Sequence, residues 1–245
     1  MSFQDSPSRN GAERRGVIPA FRDRYDRIYQ TVRDRICMLD YPPGARISEE
    51  ELSEEFSTSR TPIRRVLARL DAEGLVDVRN GVGTFVTDAS IEQLSQIFSL
   101  RMELTVLFGR LSPASPSAEA LDRIRALIAA IDELSRESKP EPRTFARLNM
   151  NFFFEISALI SNQPLREISE RLYLQTFRIW LQINPLINLA DEIAIFRREM
   201  IDVLRALEVN DLDAVGYIRR AYLSMSSTHE LKHRTRSETE SAYLA

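Results

Sequence analysis

The first ninety residues alternate between helical and extended spacing of apolar positions. From Phe21 to Leu39 the apolar side chains fall at Tyr25, Ile28, Tyr29, Val32, Ile36 and Leu39, the three- and four-residue spacing of one helix face. Tyr41-Pro42-Pro43-Gly44 stops that helix, and Ala45 to Ile47 reads as a short extended segment. Ser48 followed by Glu51 is a capping box that opens a second helix, with Leu52 and Phe56 pointing inward and Glu49, Glu50, Glu54 and Glu55 outward. After the polar turn Ser57-Thr58-Ser59 a third helix begins at Arg60, and Pro62 suits its first turn, where no amide partner is lost. Ile63, Val66, Leu67 and Leu70 make its buried face, Arg60, Arg64, Arg65 and Arg69 lie around the other sides, and Gly74 ends it. Leu75 to Arg79 and Thr84 to Thr87 read as two strands joined at Asn80-Gly81, a strong hairpin signal, with Gly83 adding backbone freedom.

From Ile91 onward the pattern is helical throughout, with helices predicted near 91–111, 117–138, 142–160, 164–183, 188–209 and 211–230. Pro113 and Pro116, Pro140 and Pro142, Asn162 and Pro164, Asn184 and Pro185, and Asn210 separate them. The predicted fold is therefore mainly α: an N-terminal winged helix-turn-helix domain over 20–88 and an all-α C-terminal helical-bundle domain over 89–231. Residues 1–19 read as a disordered arm and 232–245 as a frayed tail, both polar and without apolar period.

Composition changes this picture in two places. Of 245 residues, 43% are hydrophobic and 28% charged, ordinary for a globular chain, and no run approaches the length of a membrane-spanning helix. The longest apolar-looking stretch, Asn151 to Ile160, is broken by Glu155 and Ser157. The N-terminus lacks the apolar core of a signal peptide, and the one cysteine, Cys37, has no internal partner; both predict a cytoplasmic protein with no membrane association. The net charge of −3 does not announce a nucleic-acid partner, so a DNA reading must rest on where the cations stand. Nearly all are arginines, the lysines being Lys139 and Lys232 alone. Arg9, Arg14 and Arg15 in the arm fit a solvated tail.

A helix that enters the DNA major groove needs an apolar inner face and a donor-rich outer one. Residues 60–72 have both. Arg60 and Arg64, four apart, share a face, and Ser59 and Thr61 stand at the helix start, where hydroxyls and free amides hold phosphate. Arg65 and Arg69 extend the cationic surface. Asn80 and Gly81 form the wing tip, where a glycine lets backbone approach the minor groove. Singly, each arginine is as well read as a solvated charge; their order and spacing together predict a domain that binds a double-stranded operator.

Ile47-Ser48-Glu49-Glu50-Glu51-Leu52, Ser59-Arg60-Thr61-Pro62-Ile63-Arg64, Leu67, Leu70, Glu73-Gly74-Leu75-Val76 and Gly81-Val82-Gly83-Thr84-Phe85-Val86 resemble the GntR family of bacterial regulators over residues 28–87. The resemblance implies that Arg60, Thr61, Arg64 and Gly81 contact the operator. The family usually carries Glu where this chain has Arg65. The all-helical second domain resembles the FadR-type branch, which implies a homodimer whose helical domain binds a small acid. Arg101 matches an arginine that this branch carries on the first helix of that domain. Many such relatives hold a divalent metal with one Asp and three His, and here the matching positions are Asn149, Phe153, Met200 and Tyr222. An amide, a phenyl ring, a thioether and a phenol do not hold zinc, nickel or manganese, so no metal and no cofactor is expected. His229 and His233, the only histidines, read as part of a solvated tail.

The expected ligand-binding residues are Arg101, Asn149, Phe153, Met200 and Tyr222, with Arg178 and Trp180 as secondary candidates. The leading reading is a dimeric repressor that binds a palindromic operator and responds to a carboxylate effector. In a second reading Phe153 and Met200 fill the cavity, leaving a regulator blind to effectors. An enzyme is disfavoured, because the chain carries no Ser/His/Asp set, metal motif or phosphate-binding glycine loop.

Overall fold

The structure, a computed structural model, describes residues 13–88, 90–183 and 188–225. They divide into two compact units, one of residues up to Ile36 with Asp40–Thr87, the other of Cys37–Leu39 with Asp88 onward.

In the first unit, α1 (Glu13–Cys37) is followed by β1 (Arg46–Ile47), α2 (Glu49–Glu55), α3 (Arg60–Ala72), β2 (Val76–Arg79) and β3 (Gly83–Val86). The apolar stripe expected on α1 is buried at Ile28, Val32 and Ile36, as are Leu52 of α2 and Ile63, Val66, Leu67 and Leu70 of α3. Each of these side chains is almost wholly removed from water, worth roughly 1.5–3 kcal/mol apiece. Ser48 Oγ accepts from the Glu51 amide at 3.2 Å, so the expected cap starts α2. Ser57 takes a left-handed φ of 46° in the turn between α2 and α3. Arg24 of α1 donates to the Phe56 and Ser57 carbonyls there, at 2.7 and 2.6 Å, satisfying oxygens that the end of α2 leaves unpaired. The strands form an antiparallel sheet in the order β1-β3-β2, with Arg46 opposite Phe85 and Arg79 opposite Gly83. The segment expected as an arm is corrected in part: α1 begins at Glu13, so residues 13–19 are helical. Glu13, Arg14, Arg15 and Ala20 are helix formers, and the helix runs through Pro19.

The second unit contains α4 (Ile91–Val106), a 3-10 turn (Leu107–Gly109), α5 (Ala118–Arg136), α6 (Pro142–Ser157), α7 (Gln163–Ile183), α8 (Leu189–Glu208) and α9, helical over 212–225. Helices stand at the predicted positions; α7 starts one residue before its expected bound, and the end expected near 230 lies outside the described residues. Ser90 and Gln93 make a reciprocal capping box on α4, and Ser117, Glu141 and Asn188 cap α5, α6 and α8. Helix α5 packs on α8 and α6, and α4 on α7. At the core, Phe196 of α8 meets Phe145 and Phe152 of α6 edge to face, at 5.4 and 5.6 Å. Among the described residues no helix is long and apolar enough to cross a membrane.

Two glycines let α9 close on α4. A Cβ on Gly216 would stand 2.9 Å from the Thr105 carbonyl oxygen, and one on Gly109 would collide with the Leu212 backbone. Gly216→Ala is accordingly expected to destabilise the helical unit by about 1–3 kcal/mol, because the obstacle is backbone that has no rotamer to move. Urea unfolding followed by circular dichroism reads this; an unchanged midpoint would show that the two helices do not need their close approach.

Candidate functional site

The first unit presents an open groove lined by Arg46, Glu49, Arg64, Leu67, Ala68, Asp71 and the wing residues Val78 to Thr84. Burying Ile63, Val66, Leu67 and Leu70 turns the opposite face of α3 outward. Arg60, Thr61 and Arg64 are exposed on it. Ser59 caps the helix by backbone alone and makes no side-chain capping bond. Arg60 pairs with Glu50 at 2.9 Å and Arg64 with Glu49 at 2.8 Å, both carboxylates coming from the acidic outer face of α2. These pairs are exposed, worth about 0–1 kcal/mol each, and yield readily to a phosphate. Asn80, Gly81 and Val82 are exposed at the wing tip, where Gly81 holds φ at +75° with nothing near its Cβ position. The left-handed turn, not crowding, is what requires glycine there.

The other two arginines expected on this surface are engaged elsewhere. Arg69 lies 3.6 Å above the Tyr29 ring of α1 and pairs with Glu73 at 3.1 Å, and the Tyr29 hydroxyl donates to the same carboxylate at 2.7 Å. Burial and the Glu73 charge push the Tyr29 phenol well up, so it stays a proton donor. Arg65 stands 5.7 Å from the Tyr25 ring. Both lean on α1 because the stripe buried beneath α3 brings that helix alongside. Sequence reading missed Arg46 and Arg79, which line the groove. The signal was present: Arg46 alternates with buried Ile47, so it must face out of the sheet.

The second unit contains a partly open cavity of about 100 Å³. Of the expected ligand residues, Arg101 of α4, Asn149 of α6 and Tyr222 of α9 line it. Phe153 does not; it stacks on Tyr173 with centroids 3.7 Å apart and borders a smaller cavity of about 10 Å³. Met200 is fully buried and lines neither cavity. Arg178 is buried, while the side chain of Trp180 and both histidines lie outside the described residues. Five polar residues unremarked in the sequence join the lining: Tyr173 and Thr176 of α7, Glu192 and Glu199 of α8 and Arg219 of α9.

The polar groups are ordered by one another. Arg101 donates to Thr176 Oγ1 at 2.5 Å, the Tyr173 hydroxyl donates to Asn149 Oδ1 at 2.9 Å, and the Tyr222 hydroxyl donates to Asp202 at 3.1 Å. Arg219 pairs with Glu199 at 2.5 Å, both side chains being almost wholly buried. Burial raises the Glu199 carboxyl above its usual range, against the pull of Arg219 and Arg101. Burial likewise raises the Tyr173 phenol.

The four positions that hold a metal in the resembled branch do not fit one here. Asn149 is engaged with Tyr173, Phe153 is stacked, Met200 is core, and Tyr222 turns its hydroxyl to Asp202. No cluster of three His, Cys, Asp or Glu side chains suited to a metal exists among the described residues.

Residues 24–86 match the family model for bacterial regulatory proteins of the gntR family, and residues 96–224 match the FCD domain. An uncharacterized HTH-type transcriptional regulator of Mycobacterium tuberculosis is 32% identical over 148 residues, 53% of this chain and 60% of that protein. The match thus spans less than two thirds of that relative. A probable D-xylose utilization operon transcriptional repressor of Paenarthrobacter nicotinovorans is 27% identical, over 67% of this chain and 71% of its own. The solved structure of E. coli McbR/YncC superposes with a TM-score of 0.72 at 18% identity, covering 86% of this chain and 98% of that one. At that identity the likeness is one of fold.

The donor set makes the metal question testable. Protein purified without an affinity tag is expected to carry substoichiometric zinc, nickel and manganese by plasma mass spectrometry, and a chelator is expected to leave its melting midpoint in place. One metal per chain, lost together with several degrees of stability, would overturn this.

Proposed function

The chain belongs to the GntR family of bacterial transcriptional regulators, with an FCD domain after its winged helix-turn-helix, and on that footing we propose that it is a cytoplasmic repressor that binds a palindromic operator as a homodimer and releases it when a small organic acid enters the helical cavity. The observation that carries the DNA half is the exposed face of α3, where Arg60, Thr61 and Arg64 stand beside the glycine-tipped wing. Arg64 is suited to a bidentate contact with a guanine edge. Ser59, Thr61, Asn80 and the Gly81 backbone are suited to phosphates. Arg46 and Arg79 flank the groove as further backbone contacts, and Arg65 and Arg69 serve chiefly to seat α3 on α1. Two-fold symmetry would set two such helices on half-sites about 34 Å apart.

The effector half rests on Arg101 lining a polar cavity that Phe153 and Met200 do not fill. A carboxylate that binds one arrangement of the DNA-binding units better than another shifts the population toward it. An effector-blind regulator would need this cavity closed.

Operators recovered by in vitro selection give the test. Arg64→Ala is expected to weaken binding by about 1–3 kcal/mol, roughly 5- to 150-fold, with the loss concentrated at one base pair of each half-site. Equal affinity for the selected and scrambled sequences in wild-type protein would sink the assignment. Glu49→Gln removes the carboxylate that competes with phosphate for Arg64, and is expected to tighten binding to random DNA several-fold, as read by fluorescence anisotropy. Light scattering in solution is expected to give twice the chain mass.

A further inference from the structure

We propose that Arg46, carried from β1 onto the wing by the missing side chain of Gly83, enters the minor groove beside the bases read by α3 and gives the operator a preference for A·T pairs there. This rests on the operator-binding reading above and adds to it a determinant of sequence outside the recognition helix. The sheet alternates its faces. Ile47, Thr84 and Val86 are buried, so Arg46, Gly83 and Phe85 stand on the opposite face. The register sets Arg46 of β1 and Asp77 of β2 on either side of Phe85, and Arg79 opposite Gly83.

The two arginines do not stay over the residues they face. A Cβ on Gly83 would stand 2.9 Å from Arg46 Nε and 3.6 Å from its guanidinium carbon. Arg46 therefore leans from its place opposite Phe85 toward the wing tip, into the space that a side chain at position 83 would take. Arg79 leans the other way. Its guanidinium carbon stands 4.9 Å from the Phe85 ring, and Asp77 pairs with it at 2.7 Å.

Three arginines line the groove between α3 and the wing: Arg46, Arg64 and Arg79. Arg64 pairs with Glu49 and Arg79 with Asp77, whereas Arg46 is exposed and makes no ion pair or hydrogen bond among the described residues. The tip itself, Asn80-Gly81-Val82-Gly83, carries no charge. Arg46 supplies the cation that the tip lacks, and it has no partner to give up on meeting DNA. Val82, 58% exposed, adds apolar surface of the kind that minor-groove binders set into the groove. A·T-rich minor grooves are narrow and strongly negative, which draws a guanidinium in, while the guanine 2-amino group meets it with another donor. A guanidinium also sheds its water more readily than an ammonium. Arg79, drawn back to the wing root, is left for the phosphates.

The test uses the full chain and a selected operator. The minor groove about half a helical turn, ~5 base pairs, from the α3 contacts is filled with A·T, G·C or inosine·C pairs. Inosine lacks the 2-amino group, so its minor groove resembles that of A·T while its major groove resembles that of G·C. By fluorescence anisotropy, wild-type protein is expected to bind the A·T and inosine·C flanks roughly fivefold more tightly than the G·C flank. Arg46→Ala is expected to lose this preference with its melting midpoint unchanged. Arg46→Lys is expected to keep most of the affinity but less than about half of the preference. Gly83→Ala is expected to weaken binding to the A·T flank about as much as Arg46→Ala does, and to add less than about twofold when Arg46 is already alanine. That comparison separates displacement of Arg46 from the strain of a side chain at a φ of +143°, which costs the same in both backgrounds. A loss in Arg46→Ala that is equal on all three flanks would show a phosphate contact and overturn the proposal, as would a preference that survives the substitution. An equal cost of Gly83→Ala in both backgrounds would overturn the positioning of Arg46 by Gly83. Wild-type protein that selects the operator core but ignores the flank would remove this inference alone, and equal binding to operator and scrambled DNA would remove the operator reading with it.

Discussion

The helical unit is organised around the buried ion pair between Glu199 of α8 and Arg219 of α9. Such a pair contributes little net stability, since desolvation offsets most of the attraction. Its influence is conditional: removing one partner strands the other charge, at about 3–5 kcal/mol. Helices α8 and α9 are therefore constrained to meet at this depth and register. The Glu199 carboxyl is raised because burial, which favours its neutral form, outweighs the two guanidiniums, which favour its charged form. The other polar groups of the cavity lining pair separately, Arg101 with Thr176, Tyr173 with Asn149 and Tyr222 with Asp202. Gly109 and Gly216 permit α9 to approach α4 and the turn that follows it, and Phe152 backs the Arg219 guanidinium.

The same logic runs through the DNA-binding unit with the opposite energetics. There the charges are exposed, the pairs Arg60–Glu50 and Arg64–Glu49 are weak, and their partners are easily exchanged. On the proposed reading a slightly acidic chain binds DNA through the few arginines set on one exposed helix face and around one groove, with Glu49 and Glu50 of α2 as their exchangeable partners. Burial makes the helical pair a fixed element, and solvent makes the α2–α3 pairs replaceable ones.

The first unit was largely legible in the sequence. Ile28, Val32 and Ile36 announce α1 by their spacing, the Ser48 cap marks the start of α2, Pro62 and Gly74 bracket α3, and Asn80-Gly81 marks the wing. Each signal acts within a few residues, through backbone preference or one-face burial. The legible set fails where a side chain's direction depends on a neighbouring element. Arg69 reads as a cation for DNA until Tyr29 and Glu73 are seen to claim it. Arg46 reads as unremarkable until β1 joins the edge of the sheet beside the wing.

In the second unit the sequence determined the helices, their breakers and the absence of metal ligands at Asn149, Phe153, Met200 and Tyr222, because these follow from residue type and local spacing. It also singled out Arg101 by resemblance. Only the tertiary structure decided which side chains share the cavity. It withdrew Met200 and Phe153 into packing and added Tyr173, Thr176, Glu192, Glu199 and Arg219, residues from three helices. The reason is geometric. A helix face repeats every three to four residues, so sequence alone says which residues stand together on one helix, whereas a cavity is closed by faces of several helices. Their rotation and depth are fixed by distant contacts such as Gly216 against Thr105.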